Sequence, residues 1–329
     1  MKLLKTLAIA FAATALVGHS ALAGPPPGMG LVLSDFNADE LVDIAYRNTV
    51  PSTVVIYLMD GATRTSFGVI NDPGADWEIG GAGKLDADEN SDIVWYNTTT
   101  GQVTIWFMDG ASRDSTAVVA APGAGWAVIG VGDISGDDIV DIILQGPNDE
   151  IVVWIMDGAN RTATNTIATL GGDWTFIGVG DLNDDGTGDL GFLNTTTGQI
   201  VSWNMDAENR TSTSTVGSVD VSKFALRALV DLDLDGDADI SFQRTADGRV
   251  ANWEMEGGAR INSSFVTSGG ISASWVTQGG GQADDAGGED LILRRSDNGL
   301  TATWFMNGLN RTDNQTNVPS PPVAWEVQP

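Results

Sequence analysis

Short runs in which apolar and polar residues alternate follow one another along most of the chain, separated by turn residues. Four such runs cover residues 77–80, 93–96, 102–108 and 113–120. The Asp-Gly pair at 109–110 separates the last two, because glycine supplies the positive φ that a tight hairpin requires. The pattern predicts a module of four antiparallel strands in about fifty residues.

This module occurs six times. One phrase, aromatic-x-Met followed by a turn, begins at Tyr57, Trp106, Trp154, Trp203, Trp253 and Trp304. A second aromatic register holds Trp77, Trp126, Trp174, Phe224, Trp275 and Trp325. Only Trp95 among the 11 tryptophans lies off both registers, so we expect the large rings to pack where neighbouring modules meet. Six four-stranded repeats without helix signals predict an all-β, six-bladed β-propeller.

The two ends of the chain indicate how the ring closes. The first module lacks its opening aromatic, with Gly28 at that position, whereas Trp325 opens a strand that no loop follows. We therefore predict that the C-terminal strand docks beside residues 29–33 and closes the first blade, which removes an exposed edge. Residues 24–28 form a short Gly/Pro leader, and residues 29–329 form one propeller domain of six repeats.

The first 23 residues predict export. Lys2 and Lys5 precede an apolar run, and Ala21 and Ala23 supply the small residues of a cleavage site, so residues 1–23 read as a signal peptide. We expect a secreted, periplasmic or cell-surface protein that has no membrane span and is a monomer. Loss of the two lysines changes the net charge from −28 to −30, which excludes nucleic acid as a partner and favours cations.

Residue usage also limits the chemistry. The chain has no cysteine, and its one histidine, His19, lies in the signal segment. Histidine-dependent triads, thiol nucleophiles and ordinary zinc sites are therefore excluded from the mature chain. Almost all of the remaining polar groups recur with the module, and the charged residues off the repeat are interpreted as solvated: Lys223, Arg227, Arg294 and Arg295. No asymmetric catalytic cluster is therefore visible, and we expect no enzymatic activity.

Aspartate-rich loops of nine positions end in an aspartate about every fifty residues and predict calcium sites. Calcium takes six to eight oxygen ligands from a turning loop, here from positions 1, 3, 5 and 9 and from the carbonyl of position 7. The candidate ligands of the first and third loops are Asp35, Asn37, Asp39, Asp43, Asp133, Ser135, Asp137 and Asp141. Those of the fourth and fifth loops, which fit best, are Asp181, Asn183, Asp185, Asp189, Asp231, Asp233, Asp235 and Asp239.

The other two loops depart from this pattern. Lys84 stands at position 1 of the second loop (84–92), where an ammonium would repel a divalent ion and neutralise the carboxylates itself. The sixth loop (282–290) has Gln282 and Ala286 in place of two carboxylates. We expect these two loops to hold no ion, which leaves about four calcium sites. The alternative for all six is an acidic turn that binds no ion.

The loops at Asp181–Leu190 and Asp231–Ile240, with the Trp-x-Met-Asp-Gly phrase, resemble FG-GAP (VCBS-type) repeats, which occur in integrin α-like propellers and in secreted bacterial proteins. The resemblance covers nearly all of residues 29–327. It implies blades with calcium held between the first two strands, as at Asp35, Asn37, Asp39 and Asp43. It does not define a function, because the same fold serves adhesion, sugar binding and accessory domains of enzymes.

Three functions are compatible with these features. The first is a calcium-stabilised binding or adhesion module for a surface protein or glycan. The second is a lectin-like propeller whose repeated arginines, such as Arg113, hydrogen-bond sugar hydroxyls while Trp95 or Tyr96 stacks on the ring. Against it, each arginine is expected to pair with the aspartate of its own hairpin. The third, a polysaccharide-active enzyme, is the least favoured.

Overall fold

The computed structural model describes residues 32–49, 52–266, 271–284 and 286–318. These residues form six antiparallel sheets of four strands each, and in every sheet the strands are neighbours in the order of the chain. The prediction of an all-β, six-bladed propeller is confirmed. Within the described ranges, no helix has the length and apolarity needed to cross a membrane.

Each blade contains strands from one repeat. Blades one and two comprise β1 (Val32–Ser34), β2 (Asp43–Thr49), β3 (Ser52–Asp60), β4 (Thr63–Asn71), β5 (Trp77–Gly83), β6 (Asp92–Asn97), β7 (Val103–Asp109) and β8 (Ser112–Ala120). Blades three and four comprise β9 (Ala127–Gly132), β10 (Asp141–Gln145), β11 (Glu150–Asp157), β12 (Asn160–Thr169), β13 (Trp174–Gly180), β14 (Asp189–Asn194), β15 (Gln199–Asp206) and β16 (Asn209–Ser218). Blades five and six comprise β17 (Phe224–Val230), β18 (Asp239–Arg244), β19 (Val250–Glu256), β20 (Ala259–Phe265), β21 (Trp275–Gly281), β22 (Asp290–Arg295), β23 (Thr301–Asn307) and β24 (Asn310–Val318).

In blades two to six, the first strand contains a β-bulge that its apolar pattern does not predict. In blade two, β5 extends to Gly83, and its register against β6 shifts between Ile79 and Gly81. Blades three to six show the same shift in β9, β13, β17 and β21. A bulge adds one unpaired residue to the strand and bends it, so each first strand carries one side chain that simple alternation does not place.

The first strands line the centre of the ring. Each contacts its counterparts in the adjacent blades, and β1 contacts both β5 and β21, so the ring is closed. The fourth strands lie at the periphery, where β4 contacts β8 and β24. The predicted clasp by the strand at Trp325 lies outside the described residues, as does the predicted signal segment.

Six separate apolar clusters form the core, and each lies between two adjacent blades. Between blades two and three, for example, Val94 and Ile105 pack with Val128 and Trp154. The tryptophans of the third strands are buried in these clusters, as their register predicts. A single blade therefore buries its two faces only against its neighbours, which is the physical reason why the repeats form a ring.

Candidate metal-binding loops

The nine-position loops connect the first and second strands of every blade and contact the next blade. In all six, the backbone carbonyl of position 1 accepts a hydrogen bond from the backbone N–H of position 8 in the following loop. The donors and acceptors are Ser91 to Asp35, Val140 to Lys84, Gly188 to Asp133, Ala238 to Asp181, Glu289 to Asp231 and Val42 to Gln282, at 2.6–2.9 Å. The side chain of position 2, such as Phe36 or Leu232, is fully buried. Each loop is thus anchored in an interface.

The aspartate at position 9 holds the loop to the third strand of its own blade. Its Oδ1 accepts the backbone N–H of the methionine in the aromatic-x-Met phrase in all six blades, at 2.7–2.9 Å. In five blades Oδ2 accepts the N–H of position 2; in the fourth blade the Ser202 hydroxyl donates to Asp189 Oδ2 instead. Because the second and sixth loops keep this arrangement, the repeated aspartate has a structural role in every blade. Sequence spacing alone did not reveal it.

The aspartate at position 1 shapes the loop. Asp133 accepts the backbone N–H groups of Gly136, Asp137 and Asp138, and Asp181 accepts those of residues 183 to 186. Asp35 does the same in the first loop. These bonds turn the chain around one carboxylate, as a cation-binding loop requires.

Position 3 carries the clearest sign of a missing partner. Its side-chain oxygen is buried and has no hydrogen-bond partner among the described residues in three of the four predicted loops, at Asn37 Oδ1, Asn183 Oδ1 and Asp233 Oδ1. In the third loop the Ser135 hydroxyl instead lies 3.4 Å from Asp133 Oδ1. A buried oxygen without a donor is unfavourable unless a cation or water completes it.

The fifth loop brings the predicted ligands closest together. Asp231, Asp233 and Asp235 each offer a carboxylate oxygen, and these oxygens lie within 4.8 Å of one another. Asp231 Oδ1 is buried and unpartnered like Asp233 Oδ1. Burial, followed by the charges of Asp235 and Asp231, raises the pKa of Asp233 to about 6. The site thus concentrates negative charge that no protein cation neutralises within the described residues.

Position 6 of the loops requires a backbone conformation that favours glycine. This position has positive φ in all six loops: Glu40 (68°), Glu89 (67°), Asp138 (69°), Gly186 (83°), Gly236 (104°) and Gly287 (87°). Glycine adopts this conformation readily, whereas other residues pay a steric penalty. The first three loops therefore hold a strained residue where the last three have glycine.

The second loop neutralises part of its own charge. Lys84 Nζ donates to Glu89 Oε2 at 2.7 Å, so the ammonium at position 1 pairs with the carboxylate at position 6. In the sixth loop, Gln282 Nε2 donates to the backbone carbonyl of Asp284. Both loops therefore replace the position 1 carboxylate with a hydrogen-bond donor.

The repeated hairpin arginines stack on aromatic rings and form no ion pair with the hairpin aspartates among the described residues. Each guanidinium lies over the aromatic ring of its own hairpin, 4.4–4.7 Å from the ring centroid. The members are Arg64 on Tyr57, Arg113 on Trp106, Arg161 on Trp154, Arg210 on Trp203, Arg260 on Trp253 and Arg311 on Trp304. Trp95 and Tyr96 are buried and present no ring to a sugar. The residues of the lectin-like hypothesis thus have structural roles.

Charged residues that lie off the repeat were expected to be solvated, and this is correct for Lys223, which is exposed and pairs with Asp220. It is wrong for Arg294, which is buried against the Tyr46 ring. It is also wrong for Arg227, whose Nε is buried without a partner among the described residues. Arg227 is the bulged residue of β17, which alternation does not predict, and it is half-buried.

No family model and no curated protein matches the chain. Among solved structures, it is similar to the Dos1 propeller, with 13% identity over 80% of this chain and 75% of that chain (TM-score 0.43). Hsv2 from Kluyveromyces lactis (14% identity, 88% and 84%, TM-score 0.41) and the RRP9 WD40 repeats (12%, 90% and 81%, TM-score 0.41) are similar to the same degree. The chain is a β-propeller, a fold that commonly serves binding; these similarities carry no further argument.

Proposed function

We propose that this chain is an exported, calcium-stabilised binding module, with calcium in the first, third, fourth and fifth loops and a surface protein or glycan as its partner. The observation that carries the calcium proposal is the buried, unpartnered oxygen at position 3, which recurs at Asn37, Asn183 and Asp233. Three independent copies of one unsatisfied group favour a common ligand over chance.

The residues fit calcium in chemistry and number. In the fifth loop, Asp231, Asp233 and Asp235 would supply carboxylate oxygens, and the carbonyl of Asp237 would add another, which is the oxygen-only set that calcium prefers. Asp239 also contributes in this proposal, since a carboxylate oxygen has a second lone pair when it accepts one N–H. Calcium supplies the positive charge that offsets repulsion among these groups.

The binding role rests on weaker support. The cleavage pattern at Ala23 supports export, and a rigid ring that presents loops from every blade suits recognition of a large partner. Acidic loops and Asp-Gly hairpins share one face of the ring, because Gly61, Gly158 and Gly308 donate their N–H groups to position 2 carbonyls of the preceding loops. The charged loops therefore project together from one side.

Metal analysis of purified protein tests the calcium proposal. We expect about four calcium ions per chain, and each site adds roughly 1.4 kcal/mol of stability at about ten times its dissociation constant. The double variant Asp231→Asn/Asp233→Asn should lose one ion, whereas the matched control Asp86→Asn/Asp88→Asn in the second loop should lose none. A chain without bound calcium, or a melting temperature unchanged by a strong chelator, refutes the proposal.

The partner is tested separately. We expect the immobilised protein to capture at least one member of a glycan or extracellular-protein array in calcium buffer, and to lose it when a chelator is added. If calcium is bound but both arrays stay silent, the binding role is wrong while the metal sites stand.

A further inference from the structure

The interface between blades five and six is polar at positions that are apolar between blades two and three and between blades three and four. Four corresponding positions define this comparison. They are the bulged residue of the first strand, the third residue of the second strand, its partner on the third strand, and the residue directly before the bulge in the next blade's first strand. Between blades five and six they are Arg227, Ser241, Asn252 and Thr277. Between blades two and three they are Gly80, Val94, Ile105 and Val128, and between blades three and four Ile129, Ile143, Val153 and Phe176.

The register places the four side chains together. In blade four, a Cβ on Gly191 would lie 2.8 Å from Ile177 Cγ1, so the bulged side chain covers the third residue of the second strand. Arg227 and Ser241 occupy the same two positions in blade five, where the register shifts between Leu226 and Ala228. Ser241 is paired with Asn252, and both lie on the face that turns toward blade six.

Blade six meets this face with Thr277. Gln243, two residues beyond Ser241 on the same face, accepts the Thr277 backbone N–H at 3.3 Å and donates to the Trp275 carbonyl at 2.7 Å. Gln243 is thus satisfied. Its neighbours define a set that we call the interblade polar cluster: Arg227, Ser241, Asn252 and Thr277.

The cluster lacks partners inside the described part of the chain. Arg227 Nε, Ser241 Oγ, Thr277 Oγ1 and both polar atoms of the Asn252 amide are buried and make no hydrogen bond there. Ser241 and Asn252 have no exposed surface, and Thr277 has 2%. Native proteins rarely leave so many buried polar atoms unsatisfied in one place, so a ligand or water must complete them.

Arg227 favours a ligand over water as the missing partner of the interblade polar cluster. Burial lowers the pKa of its guanidinium to about 10, with no carboxylate opposing the effect. Arg47 shows what a satisfied buried arginine looks like in this protein: it pairs with Asp72 at 2.8 Å and donates to the carbonyls of Trp77 and Gly74. Water can satisfy hydroxyl and amide groups, but a half-buried guanidinium whose Nε is buried without a partner is best stabilised by an anion that accepts charge-assisted hydrogen bonds.

We infer that the interblade polar cluster binds a small carboxylate-bearing ligand, with Arg227 on the carboxylate and Asn252, Ser241 and Thr277 on its remaining polar atoms. A carboxylate fits better than a phosphate, because one guanidinium balances a single negative charge in a strongly acidic protein. This site is separate from the calcium loops and does not depend on the function proposed above.

Titration of the protein in calcium buffer with acetate and with its neutral analogue acetamide tests the inference. The readout is the side-chain Nε–H resonance of Arg227 in nitrogen-15 NMR spectra at constant ionic strength. We expect acetate to shift this resonance saturably, with half-saturation in the millimolar range for so small a ligand. Acetamide at the same concentrations should leave it in place.

Two variants complete the test, with melting temperatures measured so that folding is checked. Arg227→Ile introduces the residue found at this position in blades three and four; it should fold and lose the acetate-dependent rise in melting temperature. Lys223→Gln removes an exposed charge from the same blade and should retain that rise. Equal responses to acetate and acetamide, or an acetate effect that survives in Arg227→Ile, overturns the inference and leaves a cluster filled by water only.

Discussion

The second and fifth loops have the same anchoring hydrogen bonds but opposite chemistry at position 1, and their backbones differ at position 4, where Leu234 has positive φ and Ala87 does not. Both carry a position 9 aspartate bound to a methionine N–H, and both lend a position 1 carbonyl to the next blade, at 2.8 Å from Val140 N and Glu289 N. The fifth loop places three carboxylates together, whereas Lys84 of the second loop forms an internal ion pair. Loop anchoring therefore depends on backbone hydrogen bonds and on position 9, whereas position 1 shapes the turn within the loop and, with positions 3 and 5, determines its ion chemistry.

The largest expected effect tests the shared part of this comparison. Asp92→Ala and Asp239→Ala each remove a buried acceptor from two backbone N–H groups, which should cost about 2 to 6 kcal/mol at roughly 1 to 3 kcal/mol per unsatisfied group. Urea unfolding in the presence of chelator measures the loss. Similar losses in both loops are expected; no loss from either variant in chelator would mean that position 9 has no structural role apart from ion binding.

The pH dependence of stability separates the protein with calcium from the protein without it. Burial raises the pKa of Asp92 to about 7 and that of Asp239 to about 8, above the usual 3.8. Without calcium the folded state therefore binds more protons than the unfolded state between about pH 4 and 8, so the free energy of unfolding should rise as the pH falls from 8 to 5. With calcium the rise should shrink, because protons compete with the ion.

Urea titrations at pH 5, 6, 7 and 8, with calcium and with chelator, measure both curves. A calcium-free protein that instead loses stability from pH 8 to pH 5 would mean that the backbone N–H bonds keep these carboxylates ionised despite their burial.

A smaller effect is expected from a substitution that gives the second loop the position 1 carboxylate of the fifth. Lys84→Asp restores the carboxylate at position 1 beside Asp86 and Asp88, so we expect one additional calcium ion and roughly 1.4 kcal/mol at about ten times the dissociation constant. Metal analysis counts the ion. Lys84→Gln is the matched control. It removes the ammonium without adding a carboxylate, so this variant should bind no additional ion.

The smallest expected effect concerns position 6. Glu40→Gly and Asp138→Gly relieve a left-handed residue and should raise stability by at most about 1 kcal/mol, since greater freedom of the unfolded chain offsets part of the gain. The reverse change, Gly236→Ala at φ 104°, should lower it. Melting temperatures in calcium buffer report all three, and a destabilised Glu40→Gly would contradict the strain argument.

Repetition made the fold predictable. Three phrases in constant register determined the number of blades, and the spacing within one phrase placed its four strands to within a few residues. Position 6 was also predictable, because glycine alternates there with residues such as Asp138 that tolerate positive φ poorly. These properties depend on local sequence, which every repeat reports again.

The side-chain contacts between strands were not predictable from the sequence. The position 9 aspartates read as ligands because carboxylate spacing says nothing about the methionine N–H that each one accepts. The hairpin arginines were expected to pair with aspartate, whereas each ring on the neighbouring strand lies closer to its guanidinium. Arg227 looked like a surface charge, because a bulge changes which way a side chain points without changing the sequence pattern.

The backbone hydrogen bonds between successive loops have a consequence for how such proteins change in size. Each bond joins position 8 of one loop to position 1 of another, and both atoms belong to the main chain, so valine, serine, glycine, alanine and glutamate all occur at position 8. A duplicated repeat would bring its own donor and its own acceptor, and it would fit into the series without new side-chain chemistry. Blade number is then limited by the geometry of ring closure. A repeat can lack ion ligands, as the second does, and still form its backbone hydrogen bonds to both neighbouring loops.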